Sequence, residues 1–317
     1  MIRELGEGIW SCEQDDGPRI VRQAVVAGDD AVLVVDAGLP GVPTQELLPL
    51  IARLGERDLV VLVTHPDSDH LGGTAELLAA RPEARVLAGL LDLPHVGDPE
   101  RMIRERYARF SARDDVPFGP AAAERARERA GLPFPGAEAA SGETRLDLGG
   151  RTARIIPTPG HSPGHVAAWI ADAGLLAAGD AVMGTGIPTR EGTLLIPPMY
   201  APPHAYRTTI ERVRALPVAT LATGHEPILR GEEEIEEFLD ASLAASDRLA
   251  GLVAAALDET PRTLLEICER VHKAYGGLPD GRAPDLALTV DGHLEDLLAA
   301  ELAVVASNHP RRFRSLA

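Results

Sequence analysis

Hydrophobic residues recur along this chain in two periods, and each switch between them marks an element. "RIVRQAVVAGDDAVLVVDAG" (residues 19–38) reads as two strands joined at a Gly-Asp-Asp turn, with Gly38 closing the second. "TQELLPLIARLG" changes to helical spacing and predicts a helix capped by Thr44 and ended by Gly55. "DLVVLVTH" is a short unbroken apolar run, as expected of a strand buried on both faces. "GGTAELLAARP" predicts a helix stopped by Pro82, and "ARVLAG" a further strand. Strands alternating with short helices predict a layered α/β fold.

The alternation breaks between residues 91 and 142. "DPERMIRERYARFSARDD" and "AAAERARERAG" predict two charged helices separated by "VPFGP", and "LPFPGAEAASGE" reads as a closing loop. Tyr107, Phe110, Phe118 and Phe134 fall here, a large share of the few aromatics, so the insertion is expected either to cap a pocket or to pack on the parent domain. Strands resume with "GETRLDLGGRTARIIPTPG" and "VAAWIADAGLLAAGD", followed by a proline-rich loop, the helix "HAYRTTIERVRALP" and the strand "ATLATGHEP". From Glu232 the pattern is helical: three helices, then two short strands around Asn308-His309-Pro310. That succession predicts a small winged-helix-like domain over 232–317, behind a larger domain over 1–231.

Composition alters this picture modestly. Apolar residues make up 45% of 317, enough for a core, but aromatics only 3%, so Ala, Leu and Val must do most of the packing. The formal charge of −17 disfavours a generic nucleic-acid or anionic-membrane binder. Residues 232–317 hold 17 Asp/Glu against 8 Lys/Arg, so the helical tail reads as a packing or dimerisation module. Cys12 and Cys268 are lone and read as buried thiols. The charged start "MIRELGEGIWSCEQ" and the absence of any membrane-length apolar run lead us to expect a cytoplasmic protein acting on a small-molecule substrate.

The chemistry gathers at strand ends. "THPDSDH" supplies His65, Asp67, Asp69 and His70; "TPGHSPGH" supplies His161 and His165; "LLAAGD" ends in Asp180; "TGHEP" carries His225. Imidazoles and carboxylates converging from several strand ends are what zinc, iron or manganese requires. One such residue is easily a turn or a cap; four strand ends together favour a metal site.

In this order and on these elements, the motifs resemble the metallo-β-lactamase superfamily over roughly residues 1–231. The resemblance implies a four-layer αββα sandwich, with a mono- or dinuclear site at one edge of its two sheets. It also implies His65, the residue at 67 and His161 on one metal, Asp69, His70 and His225 on the other, and Asp180 bridging. His165 is then a partner to a ligand or a packing residue, and His95, His204, His272, His293 and His309 match no ligand position. The tail resembles, more loosely, the winged-helix extension of β-lactamase-like endoribonucleases.

The usual pattern is H-x-H-x-D-H; this chain has H-x-D-x-D-H, with Asp67 in the middle position. The extra carboxylate would make the centre more negative. Two divalent ions are implied, zinc by the resemblance, with manganese or iron admitted by the harder oxygen donor. The implied chemistry is hydrolysis by a metal-bridging hydroxide, with Asp69 orienting it or taking its proton. Small-molecule esters, thioesters and lactones lead; a phosphodiesterase or endoribonuclease and an iron-dependent redox enzyme are the alternatives. Where the family's homoserine-lactone hydrolases place a tyrosine after the bridging aspartate, this chain has Met183. Substrate choice is expected to lie in the insertion, through Tyr107 and Phe110, and in the loop 183–206, through Met199, Tyr200, His204 and Tyr206.

Overall fold

The computed structural model describes residues 1–316. A seven-stranded sheet runs in chain order through Ile2–Gly6, Ile9–Asp16, Arg19–Ala27, Ala31–Val35, Asp58–Val63, Arg85–Gly89 and Glu138–Ala140. Its first four strands are antiparallel and the remainder parallel. A six-stranded sheet faces it, built from Thr144–Asp147, Thr152–Pro157, Val166–Ile170, Leu175–Gly179, Thr220–Thr223 and Leu229–Arg230.

The layering follows from residue parity within single strands. Val60 and Leu62 point into the core between the sheets, while Leu59, Val61 and Val63 point the other way. Leu33 and Val35 against Val32 and Val34 repeat this, as do Leu175 and Ala177 against Leu176 and Ala178. A strand with both faces apolar must be covered on both. Helices Leu48–Arg53 and Thr74–Ala80 supply Leu50, Ile51 and Leu77 to the outer face of the first sheet. Helix Pro203–Arg214 supplies Tyr206, Ile210 and Val213 to the outer face of the second. The order helix, sheet, sheet, helix is the expected four-layer sandwich.

The helices Glu232–Ala255, Leu264–Tyr275 and Ala287–Ala299 form, with the strands Arg262–Thr263, Ala303–Asn308 and Arg311–Ser315, the C-terminal part of the chain. Ile235, Leu239, Ile267, Val290 and Leu294 belong to the same apolar cluster as Trp169 and Leu176 of the second sheet. The outer layer is therefore continuous from Pro203 to the C-terminal strands. Thr263 caps Leu264–Tyr275 through a reciprocal pair of hydrogen bonds with Glu266. Cys12 and Cys268 are both buried and free, and no described helix is long and apolar enough to cross a membrane.

Three local expectations are corrected. The first helical segment begins at Pro43, one residue before Thr44, whose hydroxyl donates to Glu76 and caps nothing. The segment 132–143 holds Glu138–Ala140, a three-residue edge strand too short to show a period. The charged helix expected from residue 98 is broken into Pro99–Met102, a wide turn Ile103–Tyr107, and Arg109–Asp114. That break turns Arg106 and Tyr107 inward.

Candidate metal centre

All the strand-end motifs meet at one edge of the sandwich. His65 follows Asp58–Val63, and Asp67 immediately precedes the single helical turn Ser68–Leu71 that carries Asp69 and His70. His161 lies beyond Thr152–Pro157, Asp180 directly after Leu175–Gly179, and His225 beyond Thr220–Thr223. The donor atoms of His65, His161 and Asp180 all lie within 4.8 Å of one another, as do those of Asp69, His70 and His225.

Each of these four imidazoles is fixed by its Nδ1. His70 donates from Nδ1 to Asp36 Oδ2 at 2.7 Å. The Thr64 hydroxyl gives its one proton to Asp36 (2.8 Å) and so accepts from His65 Nδ1 at 2.9 Å. His161 and His225 donate from Nδ1 to the carbonyls of Met199 and Ile20, each at 2.8 Å. A proton held on Nδ1 leaves the Nε2 lone pair facing the centre. The Nε2 atoms of His65, His70 and His225 are buried with no hydrogen-bond partner, and buried polar atoms are normally paired. The arrangement makes chemical sense around cations.

The carboxylates sit among those lone pairs. Asp180 Oδ1 is 3.5 Å from His70 Nε2, and its Oδ2 is 3.3 Å from His225 Nε2 and 4.0 Å from His65 Nε2, so one side chain spans both triads. Asp69 Oδ2 lies 3.7 Å from His225 Nε2. Burial works against charge on His70, but Asp180 and Asp36 outweigh it and push its pKa up to about 10. Asp180 and Asp36 thus stabilise positive charge at His70, and the donor set of the centre fits two divalent ions.

Asp67 belongs to neither triad but adjoins the first. Arg106 grips both of its oxygens, and Asp67 Oδ2 is also 2.8 Å from His161 Nε2 and 3.5 Å from His65 Nε2. Burial opposes ionisation of Asp67, yet Arg106 holds its carboxyl well below the usual range. Asp69 has its own guanidinium, Arg19 Nη2 at 2.6 Å. The more negative centre expected from an added carboxylate is therefore corrected: Arg106 cancels the charge that Asp67 adds.

Backbone geometry explains two motif glycines. A Cβ on Gly224 would lie 2.3 Å from Asp180 Oδ1 and 2.7 Å from His70 Cε1, so only hydrogen fits before His225. Gly179 has φ +50° and faces the Thr64 hydroxyl, which a Cβ would meet at 2.6 Å. Arg22, itself buried, donates to the carbonyls of Thr223 and Glu226 and so fixes the turn that carries His225. His165 is not among the converging donors; its ring stacks on His65 with centroids 5.1 Å apart, and its Nδ1 meets the Thr158 hydroxyl.

A cavity of about 610 Å³ opens above the centre. Its walls come from the turn at Asp16–Arg19, the insertion, the loop around Met199, and the C-terminal stretch from Arg282 to Leu288. Tyr107, Phe110 and Met199 line it as expected, and the Tyr107 hydroxyl accepts from the Ser68 amide at 2.9 Å. The other three expected pocket residues are corrected. Tyr200 and Tyr206 are fully buried in the outer core, stacked with centroids 4.2 Å apart, and His204 faces solvent on its helix. Asp36, Arg19, Arg22 and Arg106 escaped the sequence reading. Asp36 ends an apolar run as Asp180 does, which was a usable signal; the arginines gave none.

The chain is similar to known proteins in sequence and in fold. The family profile described as "Metallo-beta-lactamase superfamily" matches residues 16–225. A hydroxyacylglutathione hydrolase of Synechococcus sp. (strain JA-2-3B'a(2-13)) is 26% identical over 177 residues, 56% of this chain and 52% of that protein. One from Acidiphilium cryptum (strain JF-5) is 28% identical over 216 residues, covering 66% and 69%. Thus the match spans about half the length of the first of these relatives. Among solved structures, a metallo-beta-lactamase family protein from Thermus thermophilus superposes with TM-score 0.71 at 22% identity, over 98% of this chain and all of that one. A beta-lactamase domain protein from Burkholderia ambifaria gives 0.73 at 17% identity, over 99% and 93%.

Proposed function

The chain belongs to the metallo-beta-lactamase superfamily, and from that premise we propose that it is a metal-dependent hydrolase of a small-molecule ester, thioester or related acyl bond. The observation that carries this reading is the convergence of four oriented imidazoles on Asp180 and Asp69 at the floor of a walled cavity. In this reading His65, His161 and Asp180 would hold one ion, with Asp67 as a further donor, and Asp69, His70 and His225 would hold the other, with Asp180 within reach of both. Two such ions supply Lewis acidity and an activated water near neutral pH.

The chain's own residues do the rest. Arg19 keeps Asp69 ionised, so Asp69 suits orienting a nucleophile by accepting its hydrogen bond better than storing a proton. Arg106 and Tyr107 pin Asp67 and Ser68 from the insertion side and restrict water on that flank. Insertion and C-terminal stretch together narrow the cavity to the dimensions of a small molecule, which supports an acyl substrate over a nucleic-acid strand. The relatives named hydroxyacylglutathione hydrolase support testing thioesters first among acyl substrates.

The test is elemental analysis of purified protein, then turnover of an ester, thioester, lactone and phosphodiester panel after chelation and restoration with zinc, manganese or iron. We expect about two metals per chain and acyl-bond cleavage that chelation abolishes and metal restores. Turnover of phosphodiesters alone, or activity indifferent to chelation, overturns the reading.

A further inference from the structure

Six guanidinium groups line the cavity, Arg19, Arg106, Arg109, Arg125, Arg129 and Arg282, in a chain whose formal charge is −17. Four are committed. Arg19 binds Asp16 and Asp69, Arg129 takes both oxygens of Asp16, Arg106 takes Asp67, and Arg282 pairs with Asp285 at 3.0 Å. Arg109 and Arg125 hold no close carboxylate, Arg109 lying over the Phe110 ring at 4.7 Å. Arg125 makes no hydrogen bond or ion pair among the described residues.

Arg109 is the most loosely paired arginine of its cluster, and it stays 41% exposed. The nearest carboxylate oxygen to it, on Asp291, is 3.9 Å away, and Asp291 already serves Arg113 at 2.9 Å and Arg311. The other acid of that cluster, Asp114, is taken by the same two arginines, and Arg311 also reaches Glu295 at 3.0 Å. The close carboxylates thus go to Arg113 and Arg311, and the guanidinium left without a close one is the one in the cavity. Burial, and more weakly Arg113 and Arg106, depress the Arg109 pKa against the opposing pull of Asp291. Beside it the wall is apolar: Phe110, Val116, Phe118, Ile196 and Leu288.

We infer that the substrate carries an oxyanion, a carboxylate or a phosphate, remote from its scissile bond, and that Arg109 and Arg125 receive it. The inference rests on the proposed hydrolase reading, with the apolar wall taking the segment between the two ends. Guanidinium groups suit planar and tetrahedral oxyanions alike through paired N–H donors. An insertion that supplies both Asp67's partner and this receptor would select substrate as well as shape the centre.

Two measurements test it independently. The first compares hydrolysis of two esters with the same scissile bond, one ending in a carboxylate and one in the matching carboxamide. Wild type should prefer the carboxylate by about tenfold to a hundredfold in kcat/KM, chiefly through KM, and Arg109→Gln with Arg125→Gln should bring that ratio towards one at unchanged metal content. The second is calorimetric binding of adipate against hexanoate, which differ by one carboxylate. Adipate should bind wild type more tightly and lose that advantage in the double variant; 6-phosphonohexanoate in the same assay tells phosphate from carboxylate. Equal binding of adipate and hexanoate to wild type, or an advantage that survives the double substitution, overturns the inference whatever the activity. Selective adipate binding without hydrolysis of any ester, thioester or lactone overturns the hydrolase reading and leaves the anion receptor standing.

Discussion

Arg106 donates to both oxygens of Asp67, from Nε at 2.5 Å and from Nη2 at 2.8 Å, and the same Nη2 stands 3.0 Å from His161 Nε2. The residue where this chain departs from H-x-H-x-D-H is thus bound to an arginine whose charge a neutral imidazole could not balance. Both side chains are mostly buried, at 14% and 12% exposure. Removing one partner of a buried ion pair costs about 3–5 kcal/mol, because the other charge is stranded. Asp67→His alone should therefore destabilise metal-free protein by about that much. Asp67→His with Arg106→Leu should recover most of the loss, a strong non-additivity in a denaturant cycle. Additive losses would show that the pair is incidental.

Asp180 presents one oxygen to His70 and the other to His225 and His65. If it bridges, Asp180→Ala should lower the occupancy of both ions together, from about two per chain to well under one by elemental analysis. Loss of a single equivalent would move Asp180 to one triad. Full retention of both would remove it from the centre.

Asp36 accepts from the Thr64 amide, the Thr64 hydroxyl and His70 Nδ1, and it does so from a left-handed backbone with φ 63°. Asn tolerates that backbone but offers only one acceptor oxygen. Asp36→Asn should leave the fold intact and weaken metal affinity by about tenfold to a hundredfold, the usual cost of losing a group that orients a ligand. Competition with a chromophoric chelator measures this directly. Unchanged affinity would mean that Thr64 and packing alone orient His65 and His70.

What could be read in the sequence was whatever is local. The sheet strands announce themselves by runs of Val and Leu, and the ligand histidines by glycine-rich strand ends. What could not be read depends on partners brought together only by folding. Arg106 meets Asp67 across 39 residues, Arg19 meets Asp69 across 50, and Arg22 meets the Thr223 carbonyl across 201. An arginine in a charged stretch looks solvated until the backbone break after Tyr107 turns it inward. Tyr200 and Tyr206 failed for the converse reason: lying near the loop in sequence, they are drawn into the outer core by each other and by His293. The insertion, expected either to cap a pocket or to pack on the parent domain, touches Asp67 and Ser68 directly. Deleting it should therefore impair metal binding as well as substrate choice, readable as lower metal content.

The C-terminal helices carry a pH dependence of their own. His293 accepts a hydrogen bond from the Tyr200 hydroxyl at 3.1 Å, in the core that joins the last helix to the stacked tyrosines. Burial, and then Arg207, push its pKa down to about 4 from an ordinary 6.5, against a weaker opposing pull from Asp247. Between those values the unfolded chain carries a proton on His293 that the folded chain refuses. Unfolding takes up that proton, so stability falls as pH drops through the window and is unaffected by this group above it. The full depression corresponds to about 3 kcal/mol by pH 4. His293→Phe has nothing to protonate and should lose correspondingly less between pH 7 and pH 4, even if it starts lower for want of the Tyr200 hydrogen bond. Urea denaturation of both proteins across that range, with chelator present so that metal loss does not contribute, measures the difference. Parallel stability curves would show that His293 gains its proton as readily folded as unfolded, and that the tyrosine core is wetter than its burial indicates.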